Sequence, residues 1–88
     1  NKAVEMEPTN ADFWLEKGAV HMRFNQMKEA VDALNKSISL NDKLAAAYRM
    51  LGYCQAKEKN TTDACANFAK AKELGDEVVD KLIETYCK

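Results

Sequence analysis

Cysteine and histidine are the side chains best suited to nucleophilic or metal chemistry, and this sequence holds three cysteines and one histidine. No two cysteines form a C-x-x-C pair, and His21 has no second ligand at a helical or turn spacing, so no metal site is expected. Nucleophilic catalysis would need a serine, cysteine or lysine beside a base. The one imidazole falls on the inward side of its helix and reads as a core histidine, hydrogen-bonded or half exposed. Carboxylates fall about one per helical turn on outer faces, as solvated charges do, and no glycine-rich phosphate loop is present. No catalytic residue and no cofactor are therefore expected.

The cysteines could do different chemistry. Cys65 lies ten residues before Gly75 and Cys87 twelve residues after it. Two antiparallel helices hinged at Gly75, each rising about 1.5 Å per residue, bring both thiols to a similar height, roughly 15–18 Å from the hinge. A Cys65–Cys87 bridge would close a loop of about 23 residues and stabilise the fold by about 3 kcal/mol on a chain-entropy argument. Two alternatives stay open. Cys54 could pair with Cys65 across the intervening turn, or Cys54 and Cys65 could be small buried residues with Cys87 a free terminal thiol. A bridge would place the chain in an oxidising compartment such as the periplasm or cell envelope, whereas free thiols leave the cytoplasm as the default.

These residues must be positioned by helices. The sequence is 47% apolar and 31% charged, with one proline and three glycines, a composition for an all-α domain. Asn10 can cap a helix running to about Arg23. Asn25–Gln26 offers a turn. Met27, Ala30, Val31, Leu34 and Ile38 then recur at helical spacing. Asn41 or Asp42 starts a third helix carrying Leu44, Ala47, Tyr48, Leu51 and Gly52 inward. Asn60 or Thr61 caps a fourth, with Asp63 near its N-terminal end, and Gly75 closes it. Val79, Leu82, Ile83 and Tyr86 form one apolar stripe on a last helix, with Asp80, Lys81, Glu84 and Lys88 toward water. Met6 and Met27 fall on inward positions, Met22 and Met50 toward the exposed side.

A period organises the whole. Trp14 and Tyr48, Gly18 and Gly52, Ala30 and Ala64, Leu34 and Phe68, Ser37 and Ala71, Leu40 and Leu74, and Met6 and Leu40 are all 34 residues apart. Gly18, Gly52, Ala30 and Ala64 let crossing helices approach, and Trp14, Tyr48, Leu34 and Phe68 are large knobs between them. Each pair leaves an apolar face that the next must cover. Residues 1–8 read as the tail of a preceding unit, 9–42 and 43–76 as two full units, and 77–88 as a capping helix. The chain starts at Asn1 rather than methionine, which reads as a piece of a longer protein, with residue 88 near its C-terminus.

These residues resemble the tetratricopeptide-repeat family: an aromatic, a glycine four residues on, and an alanine at the tight crossing in the second helix. Trp14, Gly18 and Ala30 fit one unit; Tyr48, Leu51, Gly52, Ala64, Phe68 and Ala71 fit the next. Pro8 matches the family's closing proline, which Asp42 and Asp76 replace later; Lys17 and His21 stand where leucine and an aromatic are usual. The resemblance implies an antiparallel helix-pair solenoid with a C-terminal capping helix, acting as a non-catalytic protein-interaction scaffold. The ending from Cys65 to Cys87 also resembles the C-terminal pattern of exported bacterial repeat proteins.

In that family the first helix of each pair lines a concave groove. The register places Leu15, Ala19, Met22 and Arg23 there from the first unit, and Arg49, Tyr53, Ala56 and Lys57 from the second. Arg49, Tyr53 and Lys57 at i, i+4 and i+8 form a cation–aromatic–cation row suited to an acidic protein or peptide segment, or to three solvated side chains on one face. Leu15 and Ala19 stand where repeats that grip chaperone tails by their C-terminal carboxylate carry lysine and asparagine, which argues against that ligand. A formal charge of −1 gives no basic footprint for nucleic acid. No apolar run is long enough for membrane insertion. The rival to a groove scaffold is a structural or self-associating module with no groove ligand, and a weaker third is an appendage to a catalytic domain.

Overall fold

A computed structural model describes residues 10–87. The expected tail at 1–8, Met6, Pro8 and Lys88 lie outside these. Among the described residues there are five helices and no strand: α1 (Ala11–Arg23), α2 (Met27–Leu40), α3 (Ala45–Lys57), α4 (Thr61–Glu73) and α5 (Val79–Tyr86). They pack as two antiparallel pairs, α1 with α2 and α3 with α4; α2 joins the pairs and α5 docks on α4. This is the all-α helix-pair solenoid expected from the 34-residue period.

The pairs close tightly because glycine stands at each crossing. A Cβ built on Gly18 would lie 2.8 Å from Leu34 Cγ, and one on Gly52 would lie 2.7 Å from the Phe68 ring and 2.9 Å from the Ala64 carbonyl oxygen. Opposite them, Ala30, Leu34, Ala64 and Phe68 are fully buried. Burying a Leu or Phe side chain stabilises by about 1.5–3 kcal/mol, so these two knobs carry much of the core. Trp14 and Tyr48 instead sit half-buried at the edges. The Lys17 and Lys36 ammonium groups lie over the Trp14 ring, and the Tyr48 hydroxyl donates to the Asp42 carbonyl. Their large rings keep a polar contact that the centre of the crossing could not provide. The core forms two clusters, one around Ala30, Leu34, Leu51 and Cys54, the other around Ala64, Phe68, Ala71 and Val79. Ser37, fully buried where its repeat mate is Ala71, is satisfied by donating to the Ala11 carbonyl at 2.9 Å.

Three helices end the same way. The amides of Gln26, Asn60 and Asp76 bond back to the carbonyls of His21, Gln55 and Ala71, and the residue before each, Asn25, Lys59 or Gly75, has positive φ. This is the left-handed closure that satisfies orphan carbonyls. Asn25 and Gly75 tolerate it; Lys59 adopts it without the help of its residue type.

Helix starts differ from expectation in two places. Asn10 caps α1, its Oδ1 accepting from the Asp12 amide at 2.8 Å. The third helix, expected from Asn41 or Asp42, begins only at Ala45. Asn41 Oδ1 accepts from the Lys43 amide and ties a local turn, and Leu44 is extended. Asn60 occupies the N-cap of α4, but its side chain donates to Asp63 Oδ2 instead of accepting a backbone amide.

Candidate partner-binding groove

The first helix of each pair and α5 share one side of the stack. There Met22 of α1, Arg49, Met50 and Tyr53 of α3, and Val78, Lys81 and Leu82 at α5 wall an open cavity of about 330 Å³. No residue of α2 or α4 lines it. Arg49 and Met50 stand four and three residues before Tyr53, which turns one face of α3 toward it, and Val78, Lys81 and Leu82 stand at i, i+3 and i+4 from the N-cap into α5. Five of the seven lining side chains are apolar or aromatic. The floor is therefore soft and greasy, with two cations at its rim.

Of the residues expected in a groove, Met22, Arg49 and Tyr53 come together here. Leu15 is half-buried and packs on the first core cluster. Ala19 is half-buried, and Arg23 and Lys57 are exposed; none of the four lines the cavity. Met50, Val78, Lys81 and Leu82 were not anticipated. Met22 and Met50, expected toward the exposed side, are half-buried against the first cluster. The signal for α5 was present as the Val78–Lys81–Leu82 spacing, but its facing depends on how α5 docks.

The cationic row is engaged internally. Arg49 Nε donates to Asp76 Oδ2 at 2.6 Å, with Asp76 8% and Arg49 30% exposed. Asp76 also accepts from the amides of Val78 and Val79, which opens α5. One carboxylate thus caps the helix and compensates the guanidinium. The Lys57 ammonium lies 5.4 Å from the centre of the Tyr53 ring. His21 Nδ1 is 2.8 Å from Gln26 Oε1, a local contact across the α1–α2 turn. Among the described residues no three histidine, cysteine or acidic side chains converge to hold a metal, and no helix is long and apolar enough to cross a membrane.

The far end of α5 is held differently. Cys65 of α4 and Cys87 are placed as a disulfide, with Cα atoms 5.8 Å apart. Cys54 is fully buried in the other cluster with a free thiol. Burial, with the Glu58 charge adding, pushes that thiol up to about 11 from 9.0. The Cys54–Cys65 alternative is not the pairing seen.

A family model described as tetratricopeptide repeat matches residues 11–44, the span of α1, α2 and the following turn. Over 73 residues the chain is 30% identical to the mouse (Mus musculus) protein DnaJ homolog subfamily C member 7, covering 83% of this chain and 15% of that protein. It is 28% identical over 79 residues to Protein SGT1 homolog of Bos taurus, covering 90% of this chain and 23% of that one. It is 27% identical over 75 residues to the Mitochondrial import receptor subunit TOM70 of Rattus norvegicus, covering 84% and 12%. The chain thus spans less than a quarter of each of these relatives, all of them eukaryotic. With the 34-residue period, the two helix pairs closed at Gly18 and Gly52, and these matches together, the chain belongs to the tetratricopeptide-repeat family, a family of protein-interaction scaffolds.

Proposed function

We propose that this chain is a non-catalytic scaffold that receives a segment of a partner protein along the side formed by α1, α3 and α5. The units are residues 9–42 and 43–76, capped by 77–88. The observation that carries the reading is the apolar cavity walled by one helix from each pair and by the cap. Its volume is at the small end of ligand sites, enough for a bulky apolar side chain rather than a whole molecule. Met22 and Met50 adapt to the shape of what enters. Tyr53 supplies a rigid anchor.

The charge pattern refines the partner. Asp76 already compensates Arg49, so Lys81 is the exposed cation of the lining, and Lys57 lies over the Tyr53 ring one turn further along α3. A segment with one large apolar residue flanked by acidic residues suits this rim. Leu15, Ala19, Met22 and Arg23 extend the same side toward the first pair and would meet the rest of the segment. The relative named as an import receptor subunit is a protein of the kind this reading expects.

Selection from a random peptide library on the immobilised chain tests the proposal. Bound sequences should share a bulky apolar residue with acidic neighbours. The triple change of Arg49, Tyr53 and Lys57 to alanine should abolish their binding. Selected peptides without an apolar anchor, or an unaltered affinity in the triple variant, would refute the groove.

A second reading is favoured by a different surface. Phe13 and Val20 of α1 and Phe24 at its C-cap are 46%, 39% and 69% exposed. Their spacing of seven and four residues makes them one stripe, on which the chain could self-associate as a structural module. A sedimentation mass that doubles with concentration and returns to the monomer in Phe24→Glu would favour it.

A further inference from the structure

The short α5 is fastened at both ends by different chemistry. At its start, Asp76 ties Arg49 to the first amides. At its finish, Cys87 is linked to Cys65 of α4. Between them Val79 is fully buried, and Leu82, Ile83 and Tyr86 pack on the cluster of Ala64, Phe68 and Ala71. Eight residues are too few for a helix to persist alone, since the cost of nucleation is not recovered in two turns. Helicity here depends on docking, which the apolar face shares with the two fastenings. The same segment gives the groove cavity three of its walls, Val78, Lys81 and Leu82.

We propose that the Cys65–Cys87 bond is a redox latch on the third wall of the groove: a dithiol reductant that opens it frees α5 and dismantles the cavity while the first helix pair stays folded. Its effect on partner binding rests on the groove reading; the release of α5 does not.

The chemistry is thiol–disulfide exchange. A thiolate of the dithiol attacks one protein sulfur, and the other cysteine leaves as a thiolate and takes a proton. The second thiol of the reductant then displaces the remaining protein sulfur. The dithiol ends as its own disulfide, two electrons pass to the protein, and Cys65 and Cys87 each end as a thiol. Both cysteines are only half-buried, so a small reductant can approach. Cys54 does not compete as an internal attacker. It is fully buried in the other cluster, and its raised pKa leaves almost no thiolate near neutrality. The first pair contributes nothing to the fastening. Its own cluster, around Ala30, Leu34, Leu51 and Cys54, contains no residue of α5. Release is therefore local.

Amide hydrogen exchange on the whole chain, with and without dithiothreitol, tests this without any partner. The amides of Ile83 to Tyr86 should exchange about 100-fold faster after reduction, the loop-closure effect of this tether on local opening. Amides of α1 and α2 should change by no more than a few-fold. The Cys65→Ser/Cys87→Ser double variant should match the reduced chain and ignore the reductant. Unchanged exchange in α5 would overturn the latch, and so would an equal acceleration in all five helices, which would make the bond a global staple. Affinity for a library-selected peptide, measured in the same two states, judges the groove reading separately.

Discussion

The first and last of the described helices flank the same 34-residue register and differ in what packs on them. On α3, Ala47 and Cys54 are fully buried. One repeat earlier on α1, the equivalent positions are Phe13 and Val20, 46% and 39% exposed. At the other end, α5 covers Ala64, Phe68 and Ala71 and turns Lys81, Glu84 and Thr85 to solvent. A helix pair that buries one face always leaves another, so a stack of pairs needs an amphipathic helix or a partner at each end. The C-terminal end carries its own cover, reinforced by an ion pair and a disulfide. The covering segment is more than a lid: Val78, Lys81 and Leu82 also supply three of the seven residues that wall the cavity.

Deleting residues 76–88 should have the largest effect on that contrast. It uncovers Phe68 and Ala71 and removes the packing of Val79, Leu82, Ile83 and Tyr86. The melting temperature should fall on the order of 20 °C, with aggregation, given that each kcal/mol shifts a domain this small by about 4–8 °C. An unchanged thermal transition would mean that α5 caps nothing.

Next come the two crossings. A Cβ on Gly52 meets the fully buried Phe68 ring and the Ala64 backbone, neither of which can move aside cheaply. On Gly18 the nearest atoms belong to the branched end of Leu34, with the Ala30 carbonyl at 3.4 Å. Gly52→Ala should cost about 2–3 kcal/mol and Gly18→Ala about 1 kcal/mol in denaturant titrations. Equal losses would show that the two pairs are equally tight.

A smaller loss is expected from Asp76→Ala, which removes the helix cap and the partner of Arg49. About 1–2 kcal/mol should be lost, the range for a cap combined with a charge-assisted bond to a partly exposed guanidinium. Because Arg49 can turn to water, the penalty should stay below that of a fully buried pair. A change under 0.3 kcal/mol would place the fastening of α5 entirely in its apolar face.

The smallest effect has the opposite sign. Lys59 holds φ 67° at the end of α3, where Gly75 holds 105° at the end of α4. Lys59→Gly should stabilise by about 0.5 kcal/mol, because a side chain in the left-handed region is strained. Destabilisation on that scale would mean the loss of unfolded-state stiffness outweighs the strain relieved.

How much was legible follows from what kind of constraint each residue answers. Gly18, Gly52, Ala30 and Ala64 are dictated by backbone approach at a single point, so their spacing shows the fold directly. Asn25 and Gly75 signal left-handed turns by type, whereas Lys59 is held there by the bonds of Lys59 and Asn60 to Ala56 and Gln55 and carries no signal of its own. Equal helical rise made Cys65 and Cys87 readable as a pair, but only the packing separates them from Cys54. The groove was read least well. Arg49 looked like a free cation because its partner, Asp76, is 27 residues away and lies beyond any local spacing rule. The contribution of Val78, Lys81 and Leu82 was hidden because the facing of α5 is fixed by docking.

A receiving site formed jointly by α1, α3 and α5 must respond to its ligand on all three helices at once. Carbon-13 methyl NMR on Met22, Met50 and Leu82, during titration with a library-selected peptide, tests it most directly. All three methyl signals should shift together on one binding isotherm, while Leu34 and Ala71 methyls stay put. Peptide binding that leaves Met22, Met50 and Leu82 unmoved would contradict it.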